Sequence, residues 1–285
     1  MKKITLALLY LLPGMLAFSQ NSNKSATTDK IVLTVGQKFV AHTEVSMDAS
    51  LSPGMDVTNK TSSDTKLEVK AVDAKTSTIT STLTKMKVDM EMMGQATNYD
   101  SDKKEDQESE TGKTFAGTLN KPQDISIYNN SGKELEDDKK ETKTEPDANN
   151  PTQGLMGMFI DNSSTAQVTG AFELIPQGKK IGDNWSDSIS DKDMKMIRIF
   201  TLKSISDKDA TIGFSFSMNA NSTFELQGMS MQFASTTKTT GDVITDIATG
   251  LVKKRTSQSD ISGNIQVMGQ EVPITAKATT TITYQ

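Results

Sequence analysis

Cysteine is absent from this chain of 285 residues, and histidine and tryptophan occur once each. Without cysteine there is no disulfide, no thiol nucleophile and no thiolate metal site. A catalytic triad or a zinc site normally needs more imidazole than the single His42, and no Gly-x-Ser-x-Gly elbow occurs in the sequence. We therefore interpret His42 as an ordinary strand residue and expect no enzyme, no catalytic residue, no metal site and no cofactor.

Long apolar runs are also missing, since no stretch approaches the roughly 20 apolar residues of a membrane-spanning helix. Residues 1–19 are typical of a signal peptide: two lysines precede a short apolar run at 4–12. Small residues at 17–19 favour cleavage before Gln20. We expect an exported protein, periplasmic or extracellular, without a transmembrane span.

Positive charge is in deficit, because 31 Lys and Arg face 36 Asp and Glu, for a net charge of −5. Binding to nucleic acid depends on basic patches that neutralise phosphates. We therefore expect no nucleic-acid partner.

What the chain does contain is a repeated β pattern. Residues 35–39 recur as 181–185, and seven positions within 67–83 recur within 200–216 at an offset of 133 residues. The sequence therefore predicts a mainly β protein with two related antiparallel β halves, each a curved sheet, and a short helical segment between them. The predicted organisation follows that order after the signal peptide: a first β half at 20–132, a charged linker with a short helix at 133–175, and a second β half at 176–285.

Period-two alternation defines the strands of both halves. The second half alternates without a break from Ala210 to Ala220, which predicts that these apolar side chains all point to the core. Turns are predicted at 73–75 and 206–208, and a slip in the apolar phase predicts a β-bulge near 84–85. The 13 additional residues of the first copy predict a loop or an extra hairpin within residues 46–64.

Two charge-rich stretches, 100–113 and 133–150, lack apolar periodicity and indicate solvated loops. The stretch 151–161 is the best candidate for a helix, although its two glycines are unfavourable there.

Four segments in a fixed order resemble a family of secreted bacterial proteins known as a domain of unknown function. They are 85–101, which ends in Tyr-Asp-Ser; 176–185, with Gly-Asp-Asn-Trp; the strand 200–203; and the turn 246–250, with Asp-x-x-Thr-Gly. The first half departs from the pattern, with Gln-Lys-Phe at 37–39 where the second keeps Asp-Asn-Trp. The resemblance implies a β-rich exported protein and no catalytic residue.

Methionine is unusually frequent, with 16 residues, several of them two apart in predicted strands and so on one face. They are interpreted as flexible core filler, as the lining of an apolar groove, or as soft ligands of Cu(I). The ligand-binding candidates are Met90, Met92, Trp185, Phe214, Phe216, Met218, Met229 and Met231.

Two further features have alternative interpretations. Trp185 is either a buried anchor or a stacking platform for a carbohydrate. Asp187, Asp191 and Asp193 form either a solvated turn or a calcium loop, although their spacing matches no standard loop.

Three function classes follow from these observations. The leading hypothesis is a non-enzymatic binding protein of the cell envelope, with an apolar groove for a lipid-like or peptide ligand. The second is an envelope structural or assembly factor whose sheet edges pair with a partner protein. The third is a hydrolase whose site contains carboxylates alone.

Overall fold

The computed structural model of the protein describes residues 24–50, 56–92, 94–135, 164–190, 194–226, 229–267 and 270–285. The predicted signal peptide at 1–19 and the predicted helix at 151–161 lie outside these residues, as do Asp191 and Asp193.

Long strands dominate the described residues. The first part of the chain forms β1 (Ser25–Ala26), β2 (Lys38–Ser50), β3 (Asp56–Val72), β4 (Thr76–Met92), β5 (Gln95–Asp100) and β6 (Gln123–Tyr128). The second part forms β7 (Lys179–Lys180), β8 (Asn184–Ser190), β9 (Met194–Ile205), β10 (Asp209–Leu226), β11 (Met229–Asp246), β12 (Val252–Val267) and β13 (Gln270–Tyr284). Three short helices complete the description: α1 (Lys104–Glu108), α2 (Glu110–Phe115) and α3 (Ser164–Gly170).

Eleven strands form one antiparallel sheet in the order β5-β4-β3-β2-β13-β12-β11-β10-β9-β8, with β6 beside β4. The prediction of a mainly β, antiparallel protein is confirmed. The two parts of the chain share this one sheet, because β13 pairs with β2 from Thr275↔Ser50 to Tyr284↔Ala41. A two-stranded sheet of β1 and β7 lies apart from it.

The predicted turns and bulge are confirmed. The backbone N–H of Asp73 donates to Thr76 at 2.9 Å, and that of Ser206 donates to Asp209 at 2.8 Å. Thr84 is skipped in the pairing of β3 with β4, and its hydroxyl donates to the Asp64 carbonyl at 3.0 Å. These are positions where sequence pattern and backbone hydrogen bonding agree residue by residue.

The expectation of a loop or a hairpin within residues 46–64 is met by a hairpin, since Ser46 is opposite Lys60 and Ser50 is opposite Asp56 where β2 pairs with β3. The expectation for residues 100–113 is wrong. Residues 100–113, expected as solvated loops, contain α1 and most of α2. The Ser109 hydroxyl caps α2 by accepting from the Gly112 N–H at 3.0 Å, and Phe115 packs on Tyr99 at 5.0 Å.

Alternate residues of each strand face either a covered surface, called the inner face here, or an outer face rich in threonine and charge. On β2, for example, Phe39, Ala41 and Val45 are buried, whereas His42 is exposed on the outer face beside Asp64 at 2.6 Å. That hydrogen bond raises the pKa of His42. The His42 ring therefore lies away from the core, in an exposed ion pair.

Segments 25–33 and 171–175, together with α3, cover one end of the inner face. The Val252 N–H donates to the Ala171 carbonyl at 2.8 Å, and the Thr28 N–H donates to the Ile175 carbonyl at 2.9 Å. Gly250, in the turn between β11 and β12, has φ +74°, and a Cβ there would lie 2.9 Å from Leu174 of the covering segment. The packing of this segment on the turn therefore favours glycine at 250.

The predicted inward row of β10 lies on the inner face, but its burial changes along the strand. Ala210 and Ile212 are fully buried at the covered end, whereas Phe214, Phe216 and Met218 are only half-buried. The cover therefore ends part of the way along β10.

This gradient predicts unequal mutational costs. Leu202→Ala, at a fully buried position of β9, should lower the free energy of unfolding by about 2–5 kcal/mol. Phe216→Ala should lower it by no more than about 2 kcal/mol, because the half-exposed ring already contacts water. Guanidinium unfolding followed by the fluorescence of Trp185 measures both; equal losses would contradict the gradient.

Candidate functional site

Half-exposed apolar side chains are grouped on the inner face beyond the covering segments. Strand pairing places them side by side, because Met218 is opposite Met196 on β9 and Thr237 on β11, and Thr237 is opposite Ile261 on β12. We call this group the inner-face patch: Met196, Phe216, Met218, Ala220, Thr237 and Ile261.

Aromatic rings border the patch on the covered side. Trp185 stacks on Phe200 with ring centroids 5.5 Å apart, and Phe214 is nearly parallel to Phe216 at 6.5 Å. Gly241 lies opposite Phe214, where a Cβ would approach the Phe214 ring to 2.6 Å and the Thr256 carbonyl oxygen to 2.1 Å. The absence of a side chain at 241 leaves the space that this ring occupies.

Arg198 and Asp187 form an ion pair at the same border. They are opposite each other on β9 and β8, and the Arg198 Nε donates to the Asp187 carboxylate at 2.7 Å while a second guanidinium nitrogen donates to the other oxygen. Arg198 also lies opposite Phe216, and its guanidinium carbon is 5.7 Å from the Phe200 ring centre. The pair therefore borders the patch with its charges held in a bidentate geometry.

A second ion pair joins the covering segment to the sheet. Arg255 of β12 donates to Glu173 at 3.0 Å, and its guanidinium carbon lies 5.5 Å from the Phe214 ring centre. Burial raises the pKa of Glu173, against the opposing effect of Arg255. Burial likewise raises the pKa of the nearby Tyr284 to about 12. The covered end of the site, around Glu173 and Tyr284, is thus a poorly solvated environment in which charges are costly unless they are paired.

The predicted site residues fall into two groups. Trp185, Phe214, Phe216 and Met218 lie together at the patch and its aromatic border. Met90 and Met92 lie on β4, six strands away from β10 in the sheet order. Met90 is buried in a core cluster, and both Met92 and Ile261, a residue of the patch, pack against that cluster.

The other two candidate methionines, Met229 and Met231, lie in β11, where they pair with Leu226 and Phe224 of β10. The structure therefore brings only part of the predicted set together.

The sequence reasoning missed the two ion pairs. A signal was present, because Arg198 and Arg255 are the only arginines among 31 basic residues. Arg198 also occupies an inner-face position of β9, between Met196 and Phe200, where the alternation calls for an apolar residue. Asp187 was interpreted as part of a solvated turn or of a calcium loop, and among the described residues no three His, Asp or Glu side chains lie close enough to hold a metal ion.

A cavity of about 540 Å³ lies mainly on the outer face, across β9 to β13. Its lining is mostly polar and includes Lys203, Thr240, Asp242, Thr256, Gln258 and Thr281. Hydroxyl and charged groups of this kind suit a hydrated surface better than an apolar ligand. The inner-face patch, with its aromatic border and two ion pairs, is therefore the candidate site.

The raised pKa of Glu173 predicts a pH dependence of stability. An acid whose pKa is raised on folding stabilises the fold below its unfolded value, about 4.5, and loses that contribution as pH rises through the folded value. The difference in unfolding free energy between Glu173→Gln and wild type should therefore shift in favour of the variant between about pH 4 and pH 7.

Guanidinium unfolding at several pH values measures this difference, with Glu271→Gln at an exposed position of β13 as the control. A shift in favour of wild type as pH rises would mean that Arg255 outweighs burial and lowers the pKa of Glu173.

No curated protein matches the chain. Among solved structures, it is similar to lipovitellin in the structure "Lipid-protein interactions in lipovitellin", with a TM-score of 0.51 and 7% identity over 88% of this chain. The chain spans only 25% of that lipovitellin chain, and at this identity the likeness shows the fold alone.

Two weaker likenesses, each with a TM-score of 0.21, carry no argument. One is an outer membrane channel from Pseudomonas putida F1, with 7% identity over 92% of this chain and 100% of that one. The other is the translocator domain of the autotransporter NalP from Neisseria meningitidis, with 5% identity over 88% of this chain and 89% of that one.

Helices long and apolar enough to cross a membrane do not occur in the part of the chain that the structure describes. Residues 74–252, more than half of the chain, match the family of unknown function DUF6263. The chain therefore belongs to the DUF6263 family.

Proposed function

We propose that this chain is an exported, non-enzymatic binding protein that holds a lipid-like ligand against the inner-face patch. The observation that carries the proposal is the half-exposure of Phe216 and Met218, large apolar side chains on the same face as Ile212 and Val243, which are fully buried at its covered end. Apolar side chains in this position gain free energy when a ligand removes them from water, and small-ligand sites are mostly apolar with a few convergent polar groups.

The fold likeness supports the same proposal by analogy. The lipovitellin structure concerns lipid–protein interactions, and it shares the large antiparallel sheet with this chain at a TM-score of 0.51. Function does not follow from fold, so the weight of the proposal rests on the patch and its chemistry.

A neutral fluorescent probe, N-phenyl-1-naphthylamine, tests the proposal. Wild-type protein should bind it saturably, and Phe216→Gln/Met218→Gln should weaken binding about tenfold or more, because two apolar contacts are lost. The matched control is Ile197→Gln/Ile199→Gln, which replaces apolar side chains exposed by 45% and 47% on the opposite face of β9.

The control should bind like the wild type, and Trp185 fluorescence during guanidinium unfolding verifies that both variants fold. Equal weakening by both variants would show non-specific adsorption to apolar surface. That result, or a wild-type protein that binds no probe, would overturn the proposed function.

We also propose that the two halves are related copies and that the candidate site belongs to the second copy. The Gly36 N–H donates to the Val69 carbonyl at 2.8 Å, and the Gly182 N–H donates to the Leu202 carbonyl, also at 2.8 Å. Val69 and Leu202 are separated by the same offset of 133 residues as the sequence repeat. Equal hydrogen bonds at equivalent positions support a common origin.

The ladders of both halves are interrupted at equivalent positions as well. Lys70 is skipped where β3 pairs with β4, and Lys203 is skipped where β9 pairs with β10. Similar turns follow β6 and β11, in which Gly132 and Gly250 have φ +67° and +74°. These correspondences support the proposal that the second half, which bears the candidate site, is a copy of the first.

A further inference from the structure

The two arginines of the chain lie at one border of the inner-face patch. Arg198 is opposite Phe216 on the neighbouring strand, and the guanidinium of Arg255 lies beside the Phe214 ring. Their side chains retain 33% and 21% exposure. The other 29 of the 31 Lys and Arg residues are lysines. The planar guanidinium group, with its several N–H donors, therefore occurs only at this border.

Both arginines have a carboxylate partner, yet donor capacity remains. A guanidinium has five N–H donors, and the Nε of Arg255 is buried without a hydrogen-bond partner. The Glu173 partner is itself held where burial raises its pKa. An incoming anion that takes over part of this pairing therefore meets donors that are already oriented and poorly hydrated.

The first half has no charged pair at the position that the proposed repeat makes equivalent to Asp187 and Arg198. Under the repeat, β8 and β9 correspond to β2 and β3, where Ala41 is opposite Thr65 at the equivalent place in the hairpin. Two small uncharged side chains occupy that position in the first half, and Ala41 and Thr65 are both buried. The charges of Asp187 and Arg198 therefore occur only in the second half, at the border of the patch.

We infer that the inner face binds an amphipathic ligand whose anionic head group, a carboxylate or a phosphate, contacts Arg198 and Arg255 while its hydrocarbon chain lies on Phe216 and Met218. This inference rests on the proposed function, since it names the ligand class of the same site. The ring of Phe214 beside Arg255 and the ring of Phe216 opposite Arg198 provide the transition from the charged to the apolar part of such a ligand.

Displacement of N-phenyl-1-naphthylamine by ligands of one chain length tests the head group. The competitors are palmitate, hexadecyl phosphate and 1-hexadecanol, which differ only in the head. Palmitate or hexadecyl phosphate, or both, should bind wild type about tenfold more tightly than 1-hexadecanol, as charge-assisted hydrogen bonds add to the same apolar contact. Which of the two anions binds better distinguishes a fatty-acid from a phosphate source.

The informative variant is Glu173→Gln/Arg255→Gln, which removes both charges and avoids leaving one buried charge alone. It should reduce the preference for the anion about tenfold, measured as the ratio of anion affinity to 1-hexadecanol affinity in the same variant, so that a change in apolar contact common to all ligands cancels. Lys203→Gln, which removes a cation paired with Asp242 on the outer face, is the control and should keep the preference.

Equal binding of all three ligands to wild type would overturn the head-group inference, and so would a double variant that keeps the preference. In both cases the binding of 1-hexadecanol and of the probe would still support the proposed function. Loss of probe binding in the wild type would remove the proposed function and the inference together.

Discussion

An antiparallel sheet with one apolar face is stable only when that face is shielded from water, and this requirement governs the molecule. The eleven strands present one continuous inner face. At the end near the β11–β12 turn, α3 and the segments 25–33 and 171–175 cover this face. Where this cover lies, residues such as Ile212 and Val243 are fully buried. The remaining features of the molecule depend on where the shielding ends.

Beyond the covering segments, the alternation of β10 continues without a change of chemistry. Phe216 and Met218 follow Ile212 at the same period, yet they are half-exposed because the covering segments stop short of them. The Glu173–Arg255 pair ties the end of the cover to β12 at this boundary. A ligand with an apolar chain and an anionic head would complete the shielding and satisfy the boundary charges at once.

The local backbone could be predicted from the sequence, because it depends on neighbouring residues. The turns at 73–75 and 206–208 and the bulge at Thr84 follow from period-two phase and turn residues. The site could be predicted only in part. The pairing of Asp187 with Arg198 depends on the strand register. The separation of Met90 on β4 from Met218 on β10 depends on the strand order, in which five strands lie between them.

Buried hydroxyls were a further obstacle to prediction. Thr65, Ser81 and Thr239 lie on the inner face with exposures of 3% or less, so threonine does not mark the solvated side of this sheet. Hydropathy alone therefore misjudges how polar the inner face is. The helices α1 and α2 were not predicted, because their segment is charged and lacks apolar periodicity. Side-chain hydrogen bonds, such as the cap at Ser109 and the bond from Gln107 to the Ser101 carbonyl, and the contact of Phe115 with Tyr99 stabilise it.

Native mass spectrometry of the protein purified from its own source tests most directly whether the inner-face patch is a ligand site. The account predicts a bound species with the mass of an anionic lipid, which is absent from Phe216→Gln/Met218→Gln and retained by Ile197→Gln/Ile199→Gln. A wild-type protein of bare polypeptide mass that also fails to take up added palmitate, hexadecyl phosphate or 1-hexadecanol would contradict it.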